Sequence, residues 1–172
     1  MSDRAVILLI DDSDDDCLLI RRAFAKARVL NPLFVVTSGE DALAYLSGSG
    51  KYANRAEFPL PSLVLLDIKM PRMDGFEVLR WIRSQPGLRL MRVVMLTSSG
   101  DVRDVNLAYQ LGANSFLVKP VDFERFVEIS QALSGYWLWM DRPPETFRLA
   151  PNELQSGAQQ TRQPRAGASG EL

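Results

Sequence analysis

The chain has 172 residues with 47% hydrophobic content and a formal net charge of −1, from 20 Lys and Arg against 21 Asp and Glu. That suffices for one domain with a buried core plus an appendage, and no basic stripe exists of the kind a nucleic-acid backbone requires, so no direct DNA partner is expected. The absence of histidine excludes His-dependent triads, His-ligated zinc and a role as its own phosphohistidine carrier, while a single cysteine, Cys17, excludes an internal disulfide and suits a reducing compartment.

Ala5 to Ile10 is a continuous apolar run of the kind that fills a strand buried on both faces, and it ends in Asp11-Asp12. The run is too short for a signal-peptide core and no stretch approaches membrane-spanning length, so a cytoplasmic protein without a membrane partner is expected. Ser13 followed three positions later by Asp16 is a capping signal for a helix to about Arg28, with Asp14, Asp15 and Asp16 read as solvated acids at its positive end. Leu33 to Val36 reads as a second strand, and Ser38 with Asp41 starts a helix through about Leu46. Ser47 to Pro61 is longer than α/β connections usually are and is expected to be an exposed excursion.

Leu63 to Leu66 is the third strand, ending in a lone carboxylate, Asp67. Pro71 and then Asp74-Gly75 break the backbone before a helix over Gly75 to Ser84, so Asp67 belongs on a strand-to-helix loop. Arg92 to Leu96 delivers Thr97, Asp104 to Leu111 is a fourth helix stopped by Gly112, Ser115 to Val118 delivers Lys119-Pro120, and a last helix runs from Phe123 to about Trp139. Strands alternating with helices give a single-domain, doubly wound α/β fold: a five-stranded parallel sheet of flavodoxin-like order 2-1-3-4-5. The expected division is a domain over 4–141 and an extended, disordered arm and tail over 142–172, where Pro, Gln, Gly, Ser and Ala dominate.

In that order strands one and three meet at the switch point, bringing Asp11, Asp12 and Asp67 together. Three carboxylates at one edge are relieved by a hard cation with oxygen ligands, and Mg²⁺ is the natural occupant. With Thr97 and Lys119 from neighbouring strands, the set has the parts that spread charge over a phosphoryl group in transfer.

The segments LLIDDS, LVLLDIKMPRMDGFEVL, VVMLTSS and GANSFLVKP, in that order, resemble the response-regulator receiver domain of bacterial two-component signalling. The resemblance implies that Asp67 is the phosphoacceptor for a sensor histidine kinase. It also implies that Asp12, assisted by Asp11, holds Mg²⁺ with Asp67 and the backbone carbonyl of Lys69. Thr97 and Lys119 would contact phosphoryl oxygens, Lys119-Pro120 would be cis, and Phe116 would be the switch aromatic where Tyr is more usual. Ser98 is small, as access requires. The long Lys51 to Pro61 loop, AYQLGANSFLVKP and Tyr136-Trp137-Leu138 resemble the subgroup serving bacterial phytochromes.

On this reading the protein is a phosphoacceptor rather than an enzyme, and its length leaves no DNA-binding output, so signalling passes to an unknown downstream protein or by onward phosphotransfer. The rival reading is a Mg²⁺-dependent phosphohydrolase of the haloacid dehalogenase class, but its second Asp falls on Lys69. A calcium loop fails at Cys17 and Ala23, and a flavin binder lacks a glycine loop after strand one. The end of the last helix and the arm, with Pro143-Pro144, Phe147 and Leu149, point to a homodimer.

Overall fold

The computed structural model describes residues 5–140. The expected arm over 142–172 lies outside them.

Five parallel strands, β1 (Ile7–Ile10), β2 (Leu33–Val36), β3 (Leu63–Asp67), β4 (Arg92–Thr97) and β5 (Ser115–Val118), lie in the order β2-β1-β3-β4-β5. They alternate with α1 (Asp14–Lys26), α2 (Gly39–Ser47), α3 (Gly75–Ser84), α4 (Val102–Gln110) and α5 (Phe123–Leu133). The expected fold class and strand order are both present. β1, β3 and β4 are buried along their whole length, the reason their sequences are apolar without alternation. One face of the sheet packs Leu8, Val64 and Met95 against α2, α3 and α4; the other packs Ile7, Leu65 and Leu96 against α1 and α5.

The helix starts follow the capping chemistry read from sequence. Ser13 Oγ accepts from Asp16 N at 3.2 Å and Ser38 Oγ from Asp41 N at 3.1 Å. Asp74 and Glu77 close a reciprocal capping box at 2.9 Å each way. Register aligns the strand ends: Ile10 lies beside Leu66, Asp67 beside Leu96, and Thr97 beside Val118. Asp11, Asp67, Thr97 and Lys119 therefore arrive at one carboxyl edge.

Much of the connection after α2 is exposed, as expected, but Tyr52 and Phe58 anchor it to the core. Tyr52 is buried, and its ring meets Phe58 edge-on at 5.1 Å and Tyr45 at 5.1 Å, while Phe58 also meets Phe34 on β2. Arg55 turns back to donate to the carbonyls of Tyr45 and Leu46 at 2.7 and 2.8 Å, satisfying the end of α2 beside the left-handed Gly48. Alternating aromatics in a polar, Gly-containing segment carry no period, so the packing was not readable from spacing.

The last helix also differs. The α-helix stops at Leu133, and Ser134–Met140 continues as a wider π-helical turn. Arg92 at the start of β4 donates to the Trp137 carbonyl at 3.2 Å and lies 5.9 Å from the Trp137 ring, while Tyr136 meets that ring edge-on. Trp137 and Leu138 pack on the α1/α5 side of the core, and Tyr136 stays exposed.

Phe58→Ala should lower unfolding stability by about 2–4 kcal/mol, the cost of deleting a packed aromatic. Urea denaturation checks this, and a change below about 0.5 kcal/mol is what a solvated loop gives.

Candidate functional site

Local backbone geometry fixes Asp67 before any side chain acts on it. Gly75 N donates to the Ile68 carbonyl at 2.8 Å, so the start of α3 lies directly on the end of β3. A Cβ on Gly75 would come within 2.1 Å of the Asp67 carbonyl oxygen, so only glycine fits there.

Asp11 is wholly buried and Asp67 is 7% exposed. Buried carboxylates need partners. Lys119, its side chain 8% exposed, supplies one ammonium to both and to Asp16: 2.6 Å to Asp11 Oδ2, 2.7 Å to Asp16 Oδ2 and 3.5 Å to Asp67 Oδ1. Asp11 Oδ1 accepts from Ser13 N at 2.9 Å, and Asp67 Oδ1 accepts from Ile68 N at 3.0 Å. Lys119 N donates to the Thr97 carbonyl at 2.7 Å, tying the β4 and β5 ends together.

These surroundings set the titration of the groups. Burial, with help from the Asp11 charge, lifts the Asp67 carboxyl to about 6, although Lys119 pulls the other way. Burial works against the Lys119 ammonium, but the hydrogen bonds to Asp11 and Asp16 and the charges of Asp11 and Asp67 outweigh it and raise its pKa. Burial and the charges of Asp11 and Asp14 push the Cys17 thiol to about 11, so it is an inert packed side chain.

Of the residues singled out by sequence, Asp11, Asp12, Asp67 and Lys119 come together. One carboxylate oxygen from each of the three acids lies within 4.8 Å of the others. Asp12 is exposed and Asp11 buried, so the cluster opens to solvent on one side. Such a set of hard oxygen donors fits a hexacoordinate cation that keeps some of its waters. Thr97 is buried at the end of β4, its hydroxyl accepting from Ser99 N at 3.2 Å. Phe116 on β5 is half-buried beside Met95 and packs against the core, and Lys69 is exposed two positions past Asp67. The expected cis bond at Lys119-Pro120 is absent, as there is no cis peptide among the described residues; trans is the intrinsic preference of an X-Pro bond. The residue that sequence reasoning missed is Asp16: it is a partner of Lys119 rather than a solvated helix-start acid. Its register on α1 relative to β5 depends on how the helix packs on the sheet, which no local pattern carries.

An acidic cluster at the β1/β3 switch point, with a lysine delivered by the end of β5, has the parts of a signalling domain that takes up a phosphoryl group on aspartate. The response regulator receiver domain matches residues 7–131, and the chain belongs to that family. It is 35% identical over 133 residues to the response regulator Rcp1 of Synechocystis sp., covering 77% of this chain and 88% of that protein. The crystal structure of the Mn(2+)-bound form of Rcp1 is similar over 81% of this chain and 99% of that one, with a TM-score of 0.73 and 34% identity. Response regulator RPA3017, in red light signaling of R. palustris, gives a TM-score of 0.78 at 34% identity over 81% of this chain and 98% of that one. The bacteriophytochrome response regulator AtBRR gives 0.66 at 39% identity, over 81% and 99%. The protein is thus a receiver-domain response regulator homologous to phytochrome response regulators, and the phosphohydrolase alternative gains no support. No helix among the described residues is long and apolar enough to cross a membrane.

With its carboxyl lifted from 3.8 to about 6, native Asp67 holds a proton that the unfolded chain releases, so its contribution to stability falls as pH rises across that window. Asp67→Asn should therefore stabilise the protein by about 2 kcal/mol at pH 7.5 in EDTA, with the gain fading toward pH 4. Urea titrations of both proteins across pH 4–8 check it, and a constant difference would contradict the assignment.

Proposed function

We propose that Asp67 accepts a phosphoryl group from the phosphohistidine of a sensor histidine kinase, with Mg²⁺ as the resident cation. The observation that supports this most is the buried Asp67 carboxylate beside both the Lys119 ammonium and the open acidic cluster. In the transfer an Asp67 carboxylate oxygen forms a bond to phosphorus, the P–N bond of phosphohistidine breaks, and its electron pair leaves with the imidazole. Asp12, Asp11, Asp67 and the Lys69 carbonyl would hold Mg²⁺, which when bound neutralises phosphoryl charge. Lys119 binds a phosphoryl oxygen from the β5 side, and the Thr97 hydroxyl turns from Ser99 N to bind another. Phe116, without a hydroxyl, fills the space that Thr97 vacates and carries the change to the α4-β5-α5 surface.

The similarity to regulators named for bacteriophytochrome and red light signaling supports a bacteriophytochrome-type kinase as the donor. The protein acts as a cytoplasmic phosphoacceptor rather than as a turnover enzyme. Output goes to a downstream protein or by onward phosphotransfer. Asp67→Asn should abolish labelling by acetyl phosphate with Mg²⁺, whereas undiminished labelling of that variant moves the phosphoacceptor elsewhere.

We also infer a homodimer formed through the end of α5 and the arm over 142–172. Its support is an apolar groove of about 260 Å³ between β5 and α5, lined by Leu117, Ile129, Ala132, Leu133, Tyr136 and Trp137. Exposed Tyr136 at its rim suits a partner's apolar residues. Ending the chain at Met140 should give monomers by sedimentation while leaving Asp67 phosphorylation intact. A full-length protein that stays monomeric at high micromolar concentration, with and without a phosphate mimic, overturns the dimer.

A further inference from the structure

An ammonium has three N–H donors. Lys119 directs two of them to Asp11 at 2.6 Å and Asp16 at 2.7 Å, while Asp67 stands off at 3.5 Å. The two close partners are not equivalent. Asp11 is wholly buried and cannot exchange Lys119 for water, since stripping one member from a buried ion pair leaves an uncompensated charge. Asp16 has a side chain 36% exposed on the first turn of α1, where its carboxylate can swing into solvent at little cost.

We propose that Asp16 is a positioning residue that competes with the phosphoryl group for Lys119, drawing the ammonium toward the mouth of α1 until Asp67 is modified. This deepens the phosphoacceptor reading above and rests on it. A phosphoryl group on Asp67 adds roughly two negative charges and strong acceptor oxygens. Movement of Lys119 toward a phosphoryl group on Asp67 lengthens its two close pairs, and Asp16 is the partner that water can take over. Asp16 thereby sets how much of the Lys119 charge is available to the phosphoryl oxygens, and so how tightly the modified state is held.

Asp15 provides an internal control. It lies in the same first helical turn, carries the same charge and is exposed, but makes no ion pair with Lys119. The full-length protein with Mg²⁺ is titrated with beryllofluoride, and binding is followed by fluorine NMR. Asp16→Asn should bind about tenfold more tightly than wild type, the scale of one unit charge withdrawn from a partly buried pair. Asp15→Asn should shift affinity by no more than about twofold, because an exposed charge is screened. Asp16→Glu, which keeps the acid, should return affinity toward the wild-type value. In a Lys119→Met background the difference between Asp16→Asn and Asp15→Asn should vanish, since the ammonium they would contend for is gone.

Equal affinities for Asp16→Asn and Asp15→Asn in the wild-type background, or an Asp16→Asn effect that survives Lys119→Met, would overturn the proposal. If wild type itself takes up neither beryllofluoride nor label from acetyl phosphate, the phosphoacceptor reading fails, and the competition fails with it. Wild-type binding with indistinguishable helix variants removes the competition alone.

Discussion

One ammonium held among carboxylates at the carboxyl edge of the sheet is the constraint on which this site depends. Asp11 is wholly buried, and in an ionised state it is tolerable there only because Lys119 and the Ser13 amide occupy its two oxygens. The same lysine directly follows β5, an edge strand whose residues are half-buried up to an exposed Val118. Its main chain ties that strand to the end of β4 through the Thr97 carbonyl. Electrostatics and sheet closure are thus satisfied by one residue, and anything that redirects its charge is felt in both.

Asp67 stands in a different regime from its neighbours. It is nearly as buried as Asp11 but lies farther from the lysine, and burial leaves its carboxyl raised to about 6. In the proposed phosphotransfer this separation leaves Asp67 room to gain new contacts. Precision comes from the backbone beneath it, where Gly75 brings α3 onto the end of β3 without a side chain between them. Strand ends carry Asp11, Asp67, Thr97 and Lys119, while the partly solvated first turn of α1 carries Asp16.

Away from the site, arginines do the joining that apolar packing does not. Arg83 on α3 donates to the carbonyls of Met91 and Gly112 and to the Asn114 side chain, fixing the approach to β4 and β5. Arg55 closes the end of α2, and Arg92 holds the turn that follows α5. In each case a planar, always-charged donor fork satisfies main-chain carbonyls that a loop or helix end leaves unpaired.

The sequence by itself determined the elements, their order and the identity of four groups at the site. Continuous apolar runs mark strands buried on both faces, Ser and Asp caps mark the helix starts, and an acid at the end of such a run has no packing reason to be there. The switch-point rule then brings Asp11, Asp12 and Asp67 together without coordinates, because strand order fixes which ends are neighbours. Only the tertiary structure decided the rest. Whether the Tyr52 and Phe58 segment folds onto β2 depends on rings meeting across elements distant in sequence, and where α5 loosens into a wider turn depends on Arg92 reaching Trp137. That Asp16, and not Asp15, pairs with Lys119 is set by the rotation of α1 on the sheet. Residues 103 positions apart share no local period, so three-dimensional packing alone could bring those charges within hydrogen-bonding distance.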